Sequence, residues 1–285
     1  MKHPLSLAVF LLLTGCMPLW AADPVQITPD VVYGHKDGMA LTFDVFRPSE
    51  NARGIGLLFM VSGGWYSGWQ PPEQMLGMFK PLLDRGFTAF AVRHGSAPRY
   101  KVPEAIDDVR RAVRFIRAHA ADYGVDPERL GVFGMSAGGH LSMMLATTGD
   151  EGDPNAKDAA LRGSSRIAAA VAYFGPTDLR PWVTGPDSGM RDQFTALQFD
   201  AGLADDCSPL LQVTGDDAPT LLIHGDKDEL VPIDHSHTIL KAMQEAGAPC
   251  ELLTIEGAGH GFPGEGGRRA MEALVDWFEK YLGKK

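Results

Sequence analysis

Cysteine, basic charge and long apolar runs are all scarce in this chain of 285 residues. Cysteine stands only at positions 16, 207 and 250, with no C-x-x-C and no Cys/His spacing of the kind that holds zinc, so neither a disulfide scaffold nor a metal module is expected. Lysine and arginine number 26 against 36 acidic residues, a net charge of -10. That balance lacks the positive footprint that nucleic acid or an anionic membrane surface requires, and it suits solubility. The most apolar stretch, LSLAVFLLL near the start, is too short for a comfortable membrane span. No repeat or low-complexity tract appears. What remains, 45% hydrophobic and 22% charged, is the composition of a globular protein able to bury a large core.

Lys2, LSLAVFLLL and the small pair Ala21-Ala22 have the layout of an export signal over residues 1–22, leaving a single domain over 23–285. Leu13-Thr14-Gly15-Cys16 also resembles a bacterial lipobox, in which the signal is 1–15 and Cys16 carries lipid. Either route predicts an exported product, periplasmic or extracellular, with a membrane anchor only if Cys16 is lipidated. In an oxidising compartment Cys207 and Cys250 are candidates for pairing, although sequence leaves the distance between them open.

From residue 26 onward the chain alternates between periods of two and 3.6. VQITPDVVYG and MALTFDVFRP read as strands joined by a hairpin turn at Lys36-Asp37-Gly38. GIGLLFMVS, FTAFAVRH, RLGVFG, RIAAAVAYFG, PTLLIHG and CELLTIEG are continuous apolar runs, as expected of strands covered on both faces. Helical stretches separate them: EQMLGMFKPLLDRG, interrupted at Pro81; PEAIDDVRRAVRFIRAHAADYG; a run after Ser136; residues 235–246; and residues 268–282. In the second of these, Ile106, Val109, Val113 and Ile116 share a face, and Arg110, Arg111, Arg114 and Arg117 read as a solvated face. Met271, Leu274, Trp277, Phe278 and Leu282 form a core stripe in the last. Strands alternating with helices predict a mostly parallel eight-stranded sheet with helices on both faces. The stretch from Gly175 to about Ala218 is irregular, suited to a small cap or substrate-binding loops.

Gly134-Met135-Ser136-Ala137-Gly138 is a G-x-S-x-G string between a strand and a helix-compatible run. Such an elbow holds a serine in a strained conformation with small neighbours, and the following helix offers amides to an anion. A serine hydroxyl also needs a base. Of nine histidines, His3 lies in the signal, His35 and His94 follow early strands, and His140 sits one helical turn past Ser136. His224 ends an interior strand, while His235 and His237 open a helix. His260 alone stands in a glycine-rich loop, GAGHGF, directly after the last strand, where its ring can reach the sheet edge at which open α/β sheets bind ligands. The carboxylate that orients it should follow the penultimate strand, where HGDKDELVP offers Asp226, Asp228 and Glu229.

The order Ser, acid, His resembles the α/β-hydrolase superfamily over nearly all of the mature chain. More narrowly, YGHKDGMALTFDVFRP, GGWYSGW, IDDVRRAVRFIRAHAADYGVDPERLGVFGMSAGGH, YFGPTDL and HGDKDELVP are similar to the secreted carbohydrate-esterase group, which includes feruloyl and acetylxylan esterases and is related to prolyl-oligopeptidase catalytic domains. The resemblance implies the α/β-hydrolase fold and a serine carboxylic-ester hydrolase with Ser136, Asp228 and His260 as catalytic residues, Asp228 being the aspartate of HGxxDxxVP. It also implies an oxyanion hole from the amides of Ala137, Gly64 and Trp65. The group's HGGGW pattern reads Val61-Ser62-Gly63-Gly64-Trp65 here, a departure that bears on the rigidity of that loop. No metal and no organic cofactor is needed. Trp65, Tyr66, Trp69 and Trp182 are candidates for stacking on a sugar or an aromatic acyl group, and the expected partner is a small-molecule or oligosaccharide ester. Two rivals are a peptidase using the same residues and a non-catalytic binding module on the same fold.

Overall fold

The computed structural model describes residues 24–185 and 189–283. The export signal expected over 1–22, with Cys16, lies outside them. Strand β1 (Val25–Lys36) folds back on β2 (Met39–Pro48) through Asp37 and Gly38, whose φ values of 49° and 80° are both positive. This is the two-residue turn whose twist matches that of the flanking strands. Six further strands follow: β3 (Ile55–Met60), β4 (Phe87–Val92), β5 (Leu130–Met135), β6 (Ala169–Tyr173), β7 (Thr220–Gly225) and β8 (Cys250–Ile255). They form one sheet in the order β1-β2-β4-β3-β5-β6-β7-β8, antiparallel only at the β1-β2 and β2-β4 pairs. Together with the covering helices this is the α/β-hydrolase fold.

Alternate residues of each strand serve the two faces. Leu58 and Met60 of β3 belong to one apolar cluster, with helices α2 (Val102–Ala118) and α3 (Ala137–Thr147), and Leu57 belongs to the other, with α1 (Leu76–Leu83) and α7 (Glu265–Leu282). Short helices α4 (Arg180–Val183) and α5 (Gly189–Gln193) lie in the irregular stretch, and α6 (Asp234–Ala246) precedes β8. On α2, Ile106, Val109, Val113 and Ile116 are all buried. Each such side chain contributes roughly 1.5–3 kcal/mol relative to exposure.

Two expectations are corrected. Pro81 does not interrupt α1, which runs through it; its missing N–H costs one bond in a helix whose Phe79, Leu82 and Leu83 are anchored in the core. The α2 arginines are not a solvated face either. Arg114 donates to both carboxylate oxygens of Asp150 (2.5 and 2.6 Å) and to the Gly163 carbonyl, Arg111 pairs with Asp158, Arg110 donates to Thr148, and Arg117 reaches carbonyls of Pro127, Ser164 and Arg166. They hold the loop between α3 and β6 against α2. A single-residue periodicity cannot reveal this, because the partners lie tens of residues away. Cys207 and Cys250 are free, buried and in different apolar clusters, and burial pushes both thiols up to about 12.

Candidate active site

Three parallel strands end at one rim of the sheet and carry the three side chains that the sequence marks. Ser136 follows β5 directly, with φ 55° and ψ -120°, a conformation that L-residues rarely adopt. The flanking glycines are there for space. A Cβ on Gly134 would lie 2.4 Å from the Gly138 backbone, and one on Gly138 would lie 2.6 Å from the Met60 carbonyl. The turn is pinned by Ser136 N–H donating to the Tyr173 carbonyl and His140 N–H donating to that of Ser136, both at 2.9 Å.

His260 projects from the loop after β8. Its Nε2 accepts the Ser136 hydroxyl at 2.9 Å, and its Nδ1–H donates to Asp228 Oδ2 at 2.7 Å. Phe174 packs against the imidazole at a centroid distance of 4.5 Å, which limits how far the ring can turn. The structure also separates the three acid candidates. Asp226 accepts the Gly257 amide at 2.6 Å and so shapes the loop after β8, whereas Glu229 is exposed. Asp228 is buried, with Oδ1 accepting the amides of Leu230 and Val231 at 3.0 Å each.

A further contact on that carboxylate was not anticipated. His224 Nε2 lies 2.8 Å from the Val231 carbonyl and 3.3 Å from Asp228 Oδ2. Both neighbours only accept, so Nε2 carries the hydrogen and Nδ1 accepts from Ser236 Oγ at 2.7 Å. Burial lowers the pKa of His224 and favours this neutral form. The spacing of four residues between His224 and Asp228 is the one sequence signal that bears on this contact.

The loop after β3 is built as a tight turn. Gly63 and Tyr66 exchange backbone hydrogen bonds, and the two residues between them, Gly64 (φ 56°) and Trp65 (φ 60°), both have positive φ. The turn's own bonds do not use their amides, and the two residues line one small cavity together with Ser136 and Ala137. Where the related pattern has histidine and glycine, Val61 and Ser62 are braced differently. Ser62 Oγ donates to His94 Nε2 (2.9 Å), His94 Nδ1–H donates to the Gly95 carbonyl, Ser67 Oγ donates to the Val61 carbonyl (2.6 Å), and Ala97 N–H donates to the Trp65 carbonyl.

The four candidate aromatics divide. The Trp65 indole is buried and donates to His140 Nδ1 at 3.3 Å, and His140 Nε2–H in turn donates to the Cys207 carbonyl. His140 is therefore interior packing, held by burial at a pKa of about 4. Trp182 is buried edge-on to His235 and lines the cavity at Ser136. Tyr66 and Trp69 are exposed, Trp69 by 60%, outside that cavity. His235 is half-buried, its Nδ1 accepting the Thr177 amide, and His237 is exposed. Among the described residues no group of three or more His, Cys, Asp or Glu is arranged to hold a metal ion, and no helix is long and apolar enough to cross a membrane.

A hydroxyl on a strained elbow, an imidazole in contact with it and a buried carboxylate behind the imidazole are, on this sheet, the arrangement of an α/β-hydrolase with a serine placed as a nucleophile. The particular family follows from comparison: residues 43–243 match the BD-FAE family model, and the chain belongs to that family. Among curated proteins it is 27% identical over 259 residues to the probable carboxylic ester hydrolase LipM of Mycobacterium tuberculosis, covering 86% of this chain and 58% of LipM. It likewise covers 63% of esterase LipQ from the same organism, so the chain spans about three fifths of the length of these relatives. Among solved structures it is similar to a truncated carbohydrate esterase from gut microbiota, with TM-score 0.77 and 26% identity over 93% of this chain and 99% of that one. It is similar also to Thermogutta terrifontis esterase 2 phosphoramylated by tabun, with TM-score 0.74 and 26% identity over 92% and 97% of the two chains.

Proposed function

We propose that this protein hydrolyses carboxylic esters through Ser136, His260 and Asp228, and that its substrates are acyl esters of carbohydrates. The carrying observation is the unbroken hydrogen-bond path from Ser136 Oγ through the His260 ring to Asp228 Oδ2, at 2.9 and 2.7 Å. His260 takes the serine proton as Oγ attacks the ester carbonyl, and the tetrahedral oxyanion receives the amides of Ala137, Gly64 and Trp65. The imidazolium, stabilised by Asp228, then protonates the departing alcohol. Water repeats the sequence on the acyl-enzyme, again with His260 as base, and frees the acid. The carbohydrate class is supported by the sequence motifs similar to carbohydrate esterases and by the gut-microbiota carbohydrate esterase among similar structures. An exported location, with the signal at residues 1–22 or 1–15, fits such substrates and belongs to the same proposal.

Hydrolysis of 4-nitrophenyl acetate by wild type and Ser136→Ala, with fluorophosphonate labelling of both, tests the mechanism. Turnover and labelling should vanish together in the variant. Retained turnover would dismiss the mechanism, and an unlabelled wild type would favour a binding module.

A further inference from the structure

The cavity at Ser136 is small: its walls leave a water-sized sphere hardly any room to move. Beside the serine and the three amide-bearing residues, it is walled by Pro176, Trp182, Met190, Phe194, Leu230 and Val231. His260 is not among the lining residues. That asymmetry assigns a direction. The leaving oxygen must come within reach of His260 Nε2 to be protonated, so the alcohol departs on the imidazole side. The space on the side of the oxyanion amides is left for the acyl group.

Resting on the esterase reading above, we infer that this cavity is the acyl pocket, that it admits an acetyl or similarly short unbranched acyl group and refuses a feruloyl group, and that Phe194 and Trp182 set the limit. Apart from Ser136 and the indole N–H of Trp182 the side chains of the walls are apolar, which suits a methyl group and offers little to a charged acyl chain. A methyl is about 4 Å across, while a feruloyl ring is roughly 7 Å across and demands a slot that a space fit for little more than one water does not supply. The walls are also fixed. The Phe194 ring lies on Gly64, where a Cβ would meet its Cδ1 at 2.7 Å, and stands edge-on to Trp65 at 6.4 Å. Trp182 is held against His235 at 5.4 Å. Widening the pocket therefore means breaking the packing of Phe194 on the oxyanion loop or of Trp182 on His235, and close packing resists that. A carbohydrate alcohol, by contrast, departs toward the half-buried His260, which lies outside the walls of this cavity.

The test holds the alcohol constant and varies the acid: 4-nitrophenyl acetate, butyrate, octanoate and ferulate, read as kcat/KM. Wild type should favour acetate over octanoate and over ferulate by about a hundredfold or more, and Phe194→Ala should narrow both ratios by about tenfold or more. If that variant does not fold, Leu230→Ala, at another wall residue, should narrow the ratios in the same direction. Equal turnover of acetate and ferulate by wild type, or ratios unchanged in a folded variant, would overturn the pocket and leave the esterase reading standing. A folded wild type inert toward every ester would overturn the esterase reading itself, and the pocket with it.

Discussion

At the scale of single residues the site depends on backbone conformations that L-residues rarely adopt. Ser136 and Trp65 both hold positive φ, and Gly64 combines positive φ with a phenyl ring where its Cβ would stand. Conformations of this kind cost on the order of 1–3 kcal/mol each and persist only where packing over-determines them. Gly64→Ala should therefore lower kcat by about a hundredfold or more through a displaced oxyanion loop, measured on 4-nitrophenyl acetate alongside a melting curve that shows the fold intact. Two aspartates two residues apart give a sharper contrast. Asp228→Asn keeps the shape but removes the charge that stabilises the imidazolium, and should cost about 10³–10⁴ in kcat. Asp226→Asn, whose partners are the Gly257 amide and the exposed Lys227, should leave kcat within a few-fold. Equal losses from the two substitutions would refute the assignment of the acid. His224 adds a neutral donor near the same carboxylate, which explains how a histidine ending an interior strand is tolerated without charge.

At the scale of elements, charge does the fastening that apolar patterning does not. Arg93, just past β4, donates to both oxygens of the fully buried Asp44 in β2 and to Asp30 in β1, so one guanidinium ties the antiparallel edge to the parallel sheet. Removing it would strand a buried carboxylate. Arg93→Ala should destabilise by about 3–5 kcal/mol, read from the midpoint of urea unfolding. Arg114 on α2 acts alike on the loop that precedes β6. Its partner Asp150 is half exposed, so Arg114→Ala should cost less, about 1–3 kcal/mol. A midpoint unchanged in either variant would mean that these pairs only accompany the packing. Both arginines sit in stretches whose sequence reads simply as strand end or helix surface.

For the whole molecule, several histidines couple stability to pH. Desolvation lowers His94, His140 and His235 each from the ordinary 6.5 to about 4, and lowers His224 as well. In the folded protein they stay neutral where the unfolded chain has begun to bind protons. Stability is thus greatest above about pH 6.5 and falls as pH drops from there toward 4, by up to about 3 kcal/mol for each of His94, His140 and His235 across the window. The melting temperature should fall between pH 7 and 4.5, and His94→Gln should make that fall shallower. Parallel curves for wild type and variant would contradict the coupling. His94 braces the loop that carries Gly64 and Trp65, so acid that charges it should loosen the oxyanion loop along with the fold.

Local pattern by itself determined a good deal. Apolar runs of strand length, the Asp37-Gly38 turn, the α2 stripe and the elbow at Ser136 each depend on residues a few positions apart, and all eight strands were legible in that way. The glycine-rich setting of His260 was legible for the same reason. The acid among Asp226, Asp228 and Glu229 was not, since position left three carboxylates equal and only a family motif preferred one. Tertiary structure alone decided which carboxylate meets the imidazole, that the α2 arginines face a loop rather than water, that Trp65 turns inward while Trp69 stays exposed, and that Phe194 lines the cavity. Those outcomes depend on distances between segments far apart along the chain. Periodicity specifies which face of an element is buried, whereas the identity of what covers it arises only when the sheet brings its strand ends to one rim.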